Sequence, residues 1–362
     1  MKKFLKVLRG IGIAVGGVLI IVLGYVLYMV LTYHRIADNT ELEITAAYNE
    51  ESLGVLPAEG EYSIMTYNVG FGAYTPEYSF FMDGGKYSWA LSEEAAREAL
   101  AGATSLIRES DPDFVMVQEI DLDATRSYHI NEYELINEEL YEYASAYAID
   151  YDSSFMMYPF YHPHGKVKAG LCLYSKYEIT SSLRRSLPIS TSFSKFVDLD
   201  RCYSITRIPV DNGRELVIMT LHLSAYGNSD AIREGQVNML IEDMEKEYAA
   251  GNYVIVGGDF NHDLKADEDA TDDLASWAYP FPRSSLPSHF EFAMDQLGEE
   301  VKEALWNSSR NADMAYDPEE TYTVTLDGFI ISDNITMTYY ENINTGYSYS
   351  DHDPVLMRFT LD

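Results

Sequence analysis

Residues 256–264 read "VGGDFNHDL". An apolar run meets two glycines, and four polar side chains follow within five positions: Asp259, Asn261, His262 and Asp263. Glycine, aspartate and asparagine are ordinary turn residues. The stretch alone therefore fits either a strand-end turn or a strand-end reaction site.

The same pattern recurs along the chain. Strand-like runs, rich in β-branched residues and bounded by turn residues, are "EYSIMTYNV" (61–69), "DFVMVQEI" (113–120), "GLCLYSKYEIT" (170–180), "RCYSITRIPV" (201–210), "ELVIMTLHLS" (215–224), "YVIVGGDF" (253–260), "LDGFIISDNITMTYYE" (326–341) and "PVLMRFTL" (354–361). Helical patterns occupy 92–110, which opens on a Ser cap and acidic residues, and 229–250, with Ile232, Val237, Leu240, Ile241 and Met244 at mostly helical spacing. Residues 121–144 mix loop and helix. No G-x-G-x-x-G follows a strand, so a dinucleotide-binding order is disfavoured. Many strands with few helices predict one α/β (α+β) domain built on two sheets.

Polar residues sit at the strand ends: Asn68, Glu119, His222, Asp259 with Asn261, Asp327, and Asp351 with His352. Each alone fits a bland role, as a turn cap, a strand-end acid or a core histidine. Together they converge, because loops at one set of strand ends meet at one site. Carboxylates, carboxamides and two histidines suit a hard divalent cation and a phosphate ester. Oxygen-rich sites favour Mg2+, with Mn2+ or Ca2+ as alternatives, over zinc. Phosphoester cleavage needs an in-line water, a base and donors for the developing charge.

Charge is distributed unevenly over the 362 residues. The five basic residues before Asp38 (Lys2, Lys3, Lys6, Arg9, Arg35) meet no acid. The remaining 20 basic and 58 acidic residues leave a formal −38 on the rest. Such a body repels polyanions and lacks the footprint of a nucleic-acid binder. Residues 11–33 are 23 uncharged residues, long enough at about 1.5 Å per residue to cross a bilayer core of roughly 30 Å. The stretch exceeds a signal-peptide core and lacks an A-x-A cleavage site after it. The preceding lysines and arginine predict a cytoplasmic N-terminus. The expected organisation is a basic cytoplasmic segment (1–10), a transmembrane anchor (11–33), a polar stalk (34–60) and an extracellular catalytic domain (61–362). The protein is thus placed as a single-pass cell-membrane protein. Cys172 and Cys202 lie in apolar runs and read as two core thiols, with a disulfide as the alternative in an exported chain.

The ordered stretches "TYNVG", "VQEID", "GLCLYSKYEI", "TLHLS", "GGDFNHD", "LDGFIIS" and "SDHDPVLM" resemble the endonuclease/exonuclease/phosphatase superfamily from about residue 61 to 361. The resemblance implies a four-layer α/β/β/α sandwich of two mixed sheets, preceded here by the N-terminal helix. It implies Glu119 as principal metal ligand with Asn68 beside it, and Asp351 completing the metal or water network. Asp259 would orient or deprotonate the attacking water, Asn261 would hold a phosphate oxygen, and His222 would donate to the phosphate. His352, oriented by Asp327, would contact the phosphate or move a proton. Arg126, Lys166 and Lys168 are candidate substrate contacts, the two lysines standing out in so acidic a body. The expected activity is Mg2+-dependent hydrolysis of a lipid-borne or small phosphate ester. The alternatives are an anchored nuclease and, on a decayed site, a binding module. The expected partners are substrate and membrane, with nucleic acid disfavoured and no obligate protein partner.

Overall fold

The computed structural model describes residues 2–48, 53–196, 198–224, 230–268 and 277–362. The strands of the first half are β1 (Thr40–Glu41), β2 (Ile44–Thr45), β3 (Glu61–Asn68), β4 (Phe114–Ala124), β5 (Ala144–Asp152), β6 (Val167–Ser175) and β7 (Ser181–Ser186). Those of the second half are β8 (Cys202–Pro209), β9 (Glu215–His222), β10 (Tyr253–Asp259), β11 (Phe290–Phe292), β12 (Ser309–Arg310), β13 (Thr323–Val324), β14 (Asp327–Ser332), β15 (Ile335–Asn342) and β16 (Val355–Leu361). The helices are α1 (Lys2–Thr32), α2 (Glu93–Ser110), α3 (Glu132–Glu139), α4 (Asp230–Ala249) and α5 (Glu299–Ala304).

Two mixed seven-stranded sheets result, ordered β15-β16-β3-β4-β6-β5-β2 and β1-β7-β8-β9-β10-β14-β11. Period-two alternation explains their stacking. Ile64, Phe114 and Met116 of the first sheet share the central core with Ile218, Ile255 and Phe329 of the second. The alternate residues Met65, Tyr67, Val115 and Val117 face outward onto Leu100, Ala103 and Ile107 of α2 and Ile136 of α3. Val237, Leu240 and Met244 of α4 join the second sheet's side of the core. The expected sandwich of two mixed sheets with helices is therefore present. α2 starts where Ser92 Oγ accepts the Ala95 N–H at 3.0 Å, beside Glu93 and Glu94.

The glycine pair that opened the sequence has two separate causes. A Cβ on Gly257 would lie 2.7 Å from Met116 Sδ of the facing sheet and 2.6 Å from Phe329 Cδ1. Gly258 adopts φ +135°, and a Cβ there would stand 2.1 Å from the Leu221 carbonyl oxygen. The first glycine lets the sheets approach, and the second turns the chain at the strand end.

Several elements differ from expectation. "LDGFIISDNITMTYYE" is two strands, β14 and β15, split by Asp333-Asn334 into different sheets. β4 runs on to Ala124, and β5, β7 and β11 join the sheets without a strong apolar signal. The described residues of segment 34–60, expected as a stalk, lie along the sandwich: β1 pairs with β7, β2 with β5, and Leu56 is fully buried. Cys172 is buried in the outer layer and Cys202 in the inner one, both as free thiols. α1 is apolar enough within Lys3–Thr32 to cross a membrane, its 18-residue apolar window having a mean hydropathy of 2.5.

Gly258→Ala is expected to destabilise the protein by about 2 kcal/mol or more, the scale of a forced backbone conformation plus a clash. Gly54→Ala, where a Cβ meets nothing within 4 Å, is expected to stay within about 0.5 kcal/mol. Urea unfolding of the two variants in detergent tests the difference.

Candidate active site

Sheet register gathers the site. Asp259 ends β10 with His222 of β9 opposite it on the parallel side and Asp327 of β14 opposite it on the antiparallel side. Three functional side chains thus stand in one row across neighbouring strands. The facing sheet adds Asn68 at the end of β3 and Glu119 within β4. Glu119 sits where the β4–β6 register shifts between Val117 and Ile120, and its φ is +57°. That bulge re-aims a side chain that strict alternation would send elsewhere. The loop before β16 supplies Asp351 and His352, tied down by Ser350 Oγ donating to the Asn68 carbonyl at 2.8 Å.

Asp259 Oδ2 is the hub. Asn68 Nδ2 donates to it at 3.1 Å and to Glu119 Oε1 at 3.2 Å. His222 Nε2 lies 3.5 Å from the same oxygen and His352 Nε2 3.6 Å. The other carboxylate oxygen, Oδ1, accepts the Asn261 N–H at 2.8 Å. His352 Nδ1 is 2.7 Å from Asp327 Oδ2, which also accepts from Ser308 Oγ at 2.7 Å. His222 Nδ1 faces Asp150 Oδ2 at 3.7 Å. A cleft of about 500 Å³ opens over this cluster.

Burial drives the electrostatics. Burial pushes the Asp259 carboxyl up to about 7, against the pull of His352 and with the push of Asp327. Burial likewise raises Asp351 to about 6, opposed by His352 and reinforced by Glu119. His352 goes the other way: burial opposes its charge, but Asp327 and Asp259 outweigh that and hold it well above the ordinary imidazole range. His222 is pushed well below that range, by burial and then by the nearby Arg201 and His352. One histidine is thus kept cationic and the other neutral within one cluster.

The structure brings together Asn68, Glu119, His222, Asp259, Asn261, Asp327, Asp351 and His352, as the sequence order suggested. Arg126 also lines the cleft, but its guanidinium is committed to Asp121 (Nη2–Oδ1 2.9 Å) and covers the Phe71 ring at 3.6 Å. Lys166 and Lys168 do not line it. Ala169 of β6 does, so alternation turns Lys168 to the opposite face, and exposed Lys166 lies 3.9 Å from Asp152. Two of the four polar residues in the opening stretch are structural. His262 is buried with Nδ1 2.6 Å from the Phe260 carbonyl, and Asp263 Oδ1 accepts the Lys265 N–H at 2.9 Å. Sequence reasoning missed Asp150, Arg201, Ser308 and Arg310. Asp150, Ser308 and Arg310 lie outside the apolar runs that flagged the rest, in "AIDYD" and "NSSRN", and Arg201 opens the run "RCYSITRIPV" at the strand start and not at the strand end where the other site residues sit.

The sequence profile described as the endonuclease/exonuclease/phosphatase family matches residues 65–297, well over half of the chain. The chain belongs to that family. It is accordingly a metal-dependent phosphoric ester hydrolase. No curated protein matches the sequence. Among solved structures, similarity extends to an endonuclease/exonuclease/phosphatase from Beutenbergia cavernae (TM-score 0.58, 15% identity, covering 84% of this chain and 72% of that one). TDP2 from D. rerio, complexed with a single-strand DNA product, superposes with TM-score 0.55 at 16% identity, over 83% of this chain and all of that one. The human Nocturnin catalytic domain with bound sulfate gives 0.52 at 18% identity, over 87% and 99% of the two chains.

The donors fit a hard cation. Glu119 has its side chain 25% exposed and lines the cleft. Burial raises the Asp259 and Asp351 carboxyls despite the nearby His352, and a cation beside them would favour their charged forms. Asn68 presents its amide N–H to Glu119 and Asp259 while its Oδ1 accepts the Gly70 N–H at 3.0 Å. The amide therefore lies between the two carboxylates where positive charge is wanted, and ligation through Oδ1 requires it to turn over. Asp259, Asp327 and His352 also bring ligand atoms within 4.8 Å of one another, but His352 Nδ1 is already bonded to Asp327.

Asp327→Asn is expected to lower the His352 pKa, because the nearest opposing charge is lost. A histidine NMR titration of the EDTA-treated protein checks this, and an unchanged midpoint refutes the pairing. Magnesium is expected to raise the unfolding temperature more at pH 8 than at pH 5. Asp259 and Asp351 have folded pKa values of about 7 and about 6, above the usual carboxylate value. Their contribution to metal-free stability is therefore full below about pH 4 and is lost as pH rises through 6–7. The cation offsets that loss, as paired scans with EDTA and Mg2+ will show.

Proposed function

We propose that the protein is a membrane-anchored, Mg2+-dependent phosphoesterase that works at a lipid surface on a lipid-borne phosphate ester, its catalytic domain outside the cell. The supporting observation is where the cleft opens relative to α1. Tyr25 Oη donates to the Phe155 carbonyl at 3.1 Å and accepts the Met157 N–H at 3.2 Å, and Tyr28 Oη accepts the Phe155 N–H at 3.0 Å. Tyr33 packs edge-on against Phe196, ring centroids 5.0 Å apart. Both contacted loops lead to the cleft wall. Tyr158 packs on Phe81 and Phe81 on His164, which lines the cleft, while Asp198 and Leu199 line it from the other loop.

This mouth carries exposed apolar groups that a water-facing surface would not need: Phe160 is 81% and Tyr161 77% exposed, with Tyr158, Phe193 and Met82 also open. Aromatic side chains beside the aromatic end of an apolar helix suit a membrane–water interface. The basic residues preceding the span favour a cytoplasmic N-terminus, and the −38 body argues against nucleic acid.

The chemistry then follows from the charge states. A bound divalent cation, held by Glu119 and Asp351 with Asn68, would polarise the phosphoryl oxygens. Asp259, with a pKa near neutrality, accepts the proton of the attacking water. The His352 imidazolium, aligned by Asp327, donates to the phosphate from Nε2. Neutral His222 and the second Nδ2–H of Asn261 are further donors to the same group. The first Nδ2–H is spent on the Leu223 carbonyl at 2.9 Å.

The test uses the full chain in phospholipid vesicles with Mg2+, offered lipid and duplex DNA together and read by mass of the products. Released head group or phosphate is expected, and nucleotide products overturn the lipid reading. Asp259→Asn is expected to lose about 10²–10⁴-fold in rate. Phe160→Ser with Tyr161→Ser is expected to slow hydrolysis in vesicles several-fold while leaving a soluble ester unaffected. Equal effects on both substrates would refute the interfacial role of that loop.

A further inference from the structure

Three arginines line the cleft, and they are held differently. Arg126 is ion-paired with Asp121. Arg310, 2% exposed, donates to the Asn311, Tyr74 and Thr75 carbonyls at 3.0–3.1 Å. Arg201 is 8% exposed and has no side-chain hydrogen bond and no ion pair among the described residues. Its Nε and Nη1 are sealed from water without any acceptor. A buried guanidinium N–H without an acceptor is costly, because it has lost its hydration and gained no hydrogen bond. A site kept at that cost points to an anion that arrives with the ligand.

The position of Arg201 separates it from the reacting centre. It directly precedes β8, and the sheet order runs β8-β9-β10. Its backbone is therefore two strand spacings, roughly 10 Å, from that of Asp259. His222 stands between them, with Nε2 toward Asp259 and Nδ1 toward Asp150. Asp150 and Asp198 line this end of the cleft too. Neither comes within 4.0 Å of the guanidinium, and the Asp150 carboxylate is turned to His222. Lys166 and Lys168 do not line the cleft. Arg201 is thus the cation positioned to read a group beyond the scissile phosphate on the β8 side.

We propose that Arg201 binds a second anionic group of the substrate, so that the preferred ester carries two anionic groups, one cleaved over Asp259 and one held beside β8. This rests on the phosphoester reading of the cleft and not on whether the ester is borne by lipid.

The test is binding of two non-hydrolysable probes to the full chain in detergent with Mg2+: butane-1,4-bisphosphonate and butylphosphonate, measured by calorimetry. The wild type is expected to prefer the bisphosphonate by about 10–100-fold, the worth of a charged hydrogen-bonded contact. Arg201→Met is expected to abolish that preference and leave butylphosphonate affinity unchanged, and Arg201→Lys to keep part of it. Equal affinities in the wild type, or a preference that survives Arg201→Met, overturn the proposal. If Arg201→Met does not fold, the Lys variant and the wild-type probe ratio still decide it. Probe discrimination without cleavage of vesicle lipid would refute the lipid reading and leave this one standing.

Discussion

Everything at the catalytic centre depends on one constraint, the register that sets His222, Asp259 and Asp327 side by side on three adjacent strands. Backbone hydrogen bonds hold these side chains in line, so their separation is set by strand spacing and not by flexible loops. Gly257 and Gly258 make the register possible where it ends. One admits Met116 from the other sheet, and the other avoids the Leu221 carbonyl. Because Gly257 brings the sheets close, Asn68 of the facing sheet reaches Asp259 across the sandwich at 3.1 Å. The site is a property of two sheets in contact.

That contact buries several carboxylates together, and charge then dominates the behaviour of the site. Burial alone would neutralise them, and Asp259 and Asp351 do shift toward neutral pH. The protein answers with one cationic histidine, His352, and with an amide wedged between Glu119 and Asp259. Such a cluster is unfavourable without positive charge and well suited to receiving it. The requirement for a divalent cation in this family agrees with the surplus of negative charge.

Much of the fold was legible. The strand-like runs became strands, and the glycines before Asp259 marked a special strand end. β5 and β7 were not legible, because "ASAYAIDYD" and "SSLRRS" hold small, polar or charged residues whose burial comes from neighbours and not from their own hydropathy. Segment 34–60 looked like a stalk for the same reason: two-residue strands add edges through backbone bonds that composition does not report. Lys166 and Lys168 misled because nearness in sequence to a catalytic strand says nothing about which face a side chain takes.

By itself, the sequence determined the chemistry on offer: the apolar span, the acidic body, and the ordered Asn, Glu, His and Asp residues at strand ends, all matters of composition and short-range spacing. Only the tertiary structure decided which of them meet. It turned His262 and Asp263 to structural tasks, re-aimed Glu119 through a bulge, and set Asp150 behind His222. It also left two guanidinium nitrogens of Arg201 buried without a hydrogen-bond acceptor among the described residues. Those outcomes depend on strand order, register and burial, which arise between segments far apart in the chain and cannot be read from any one of them.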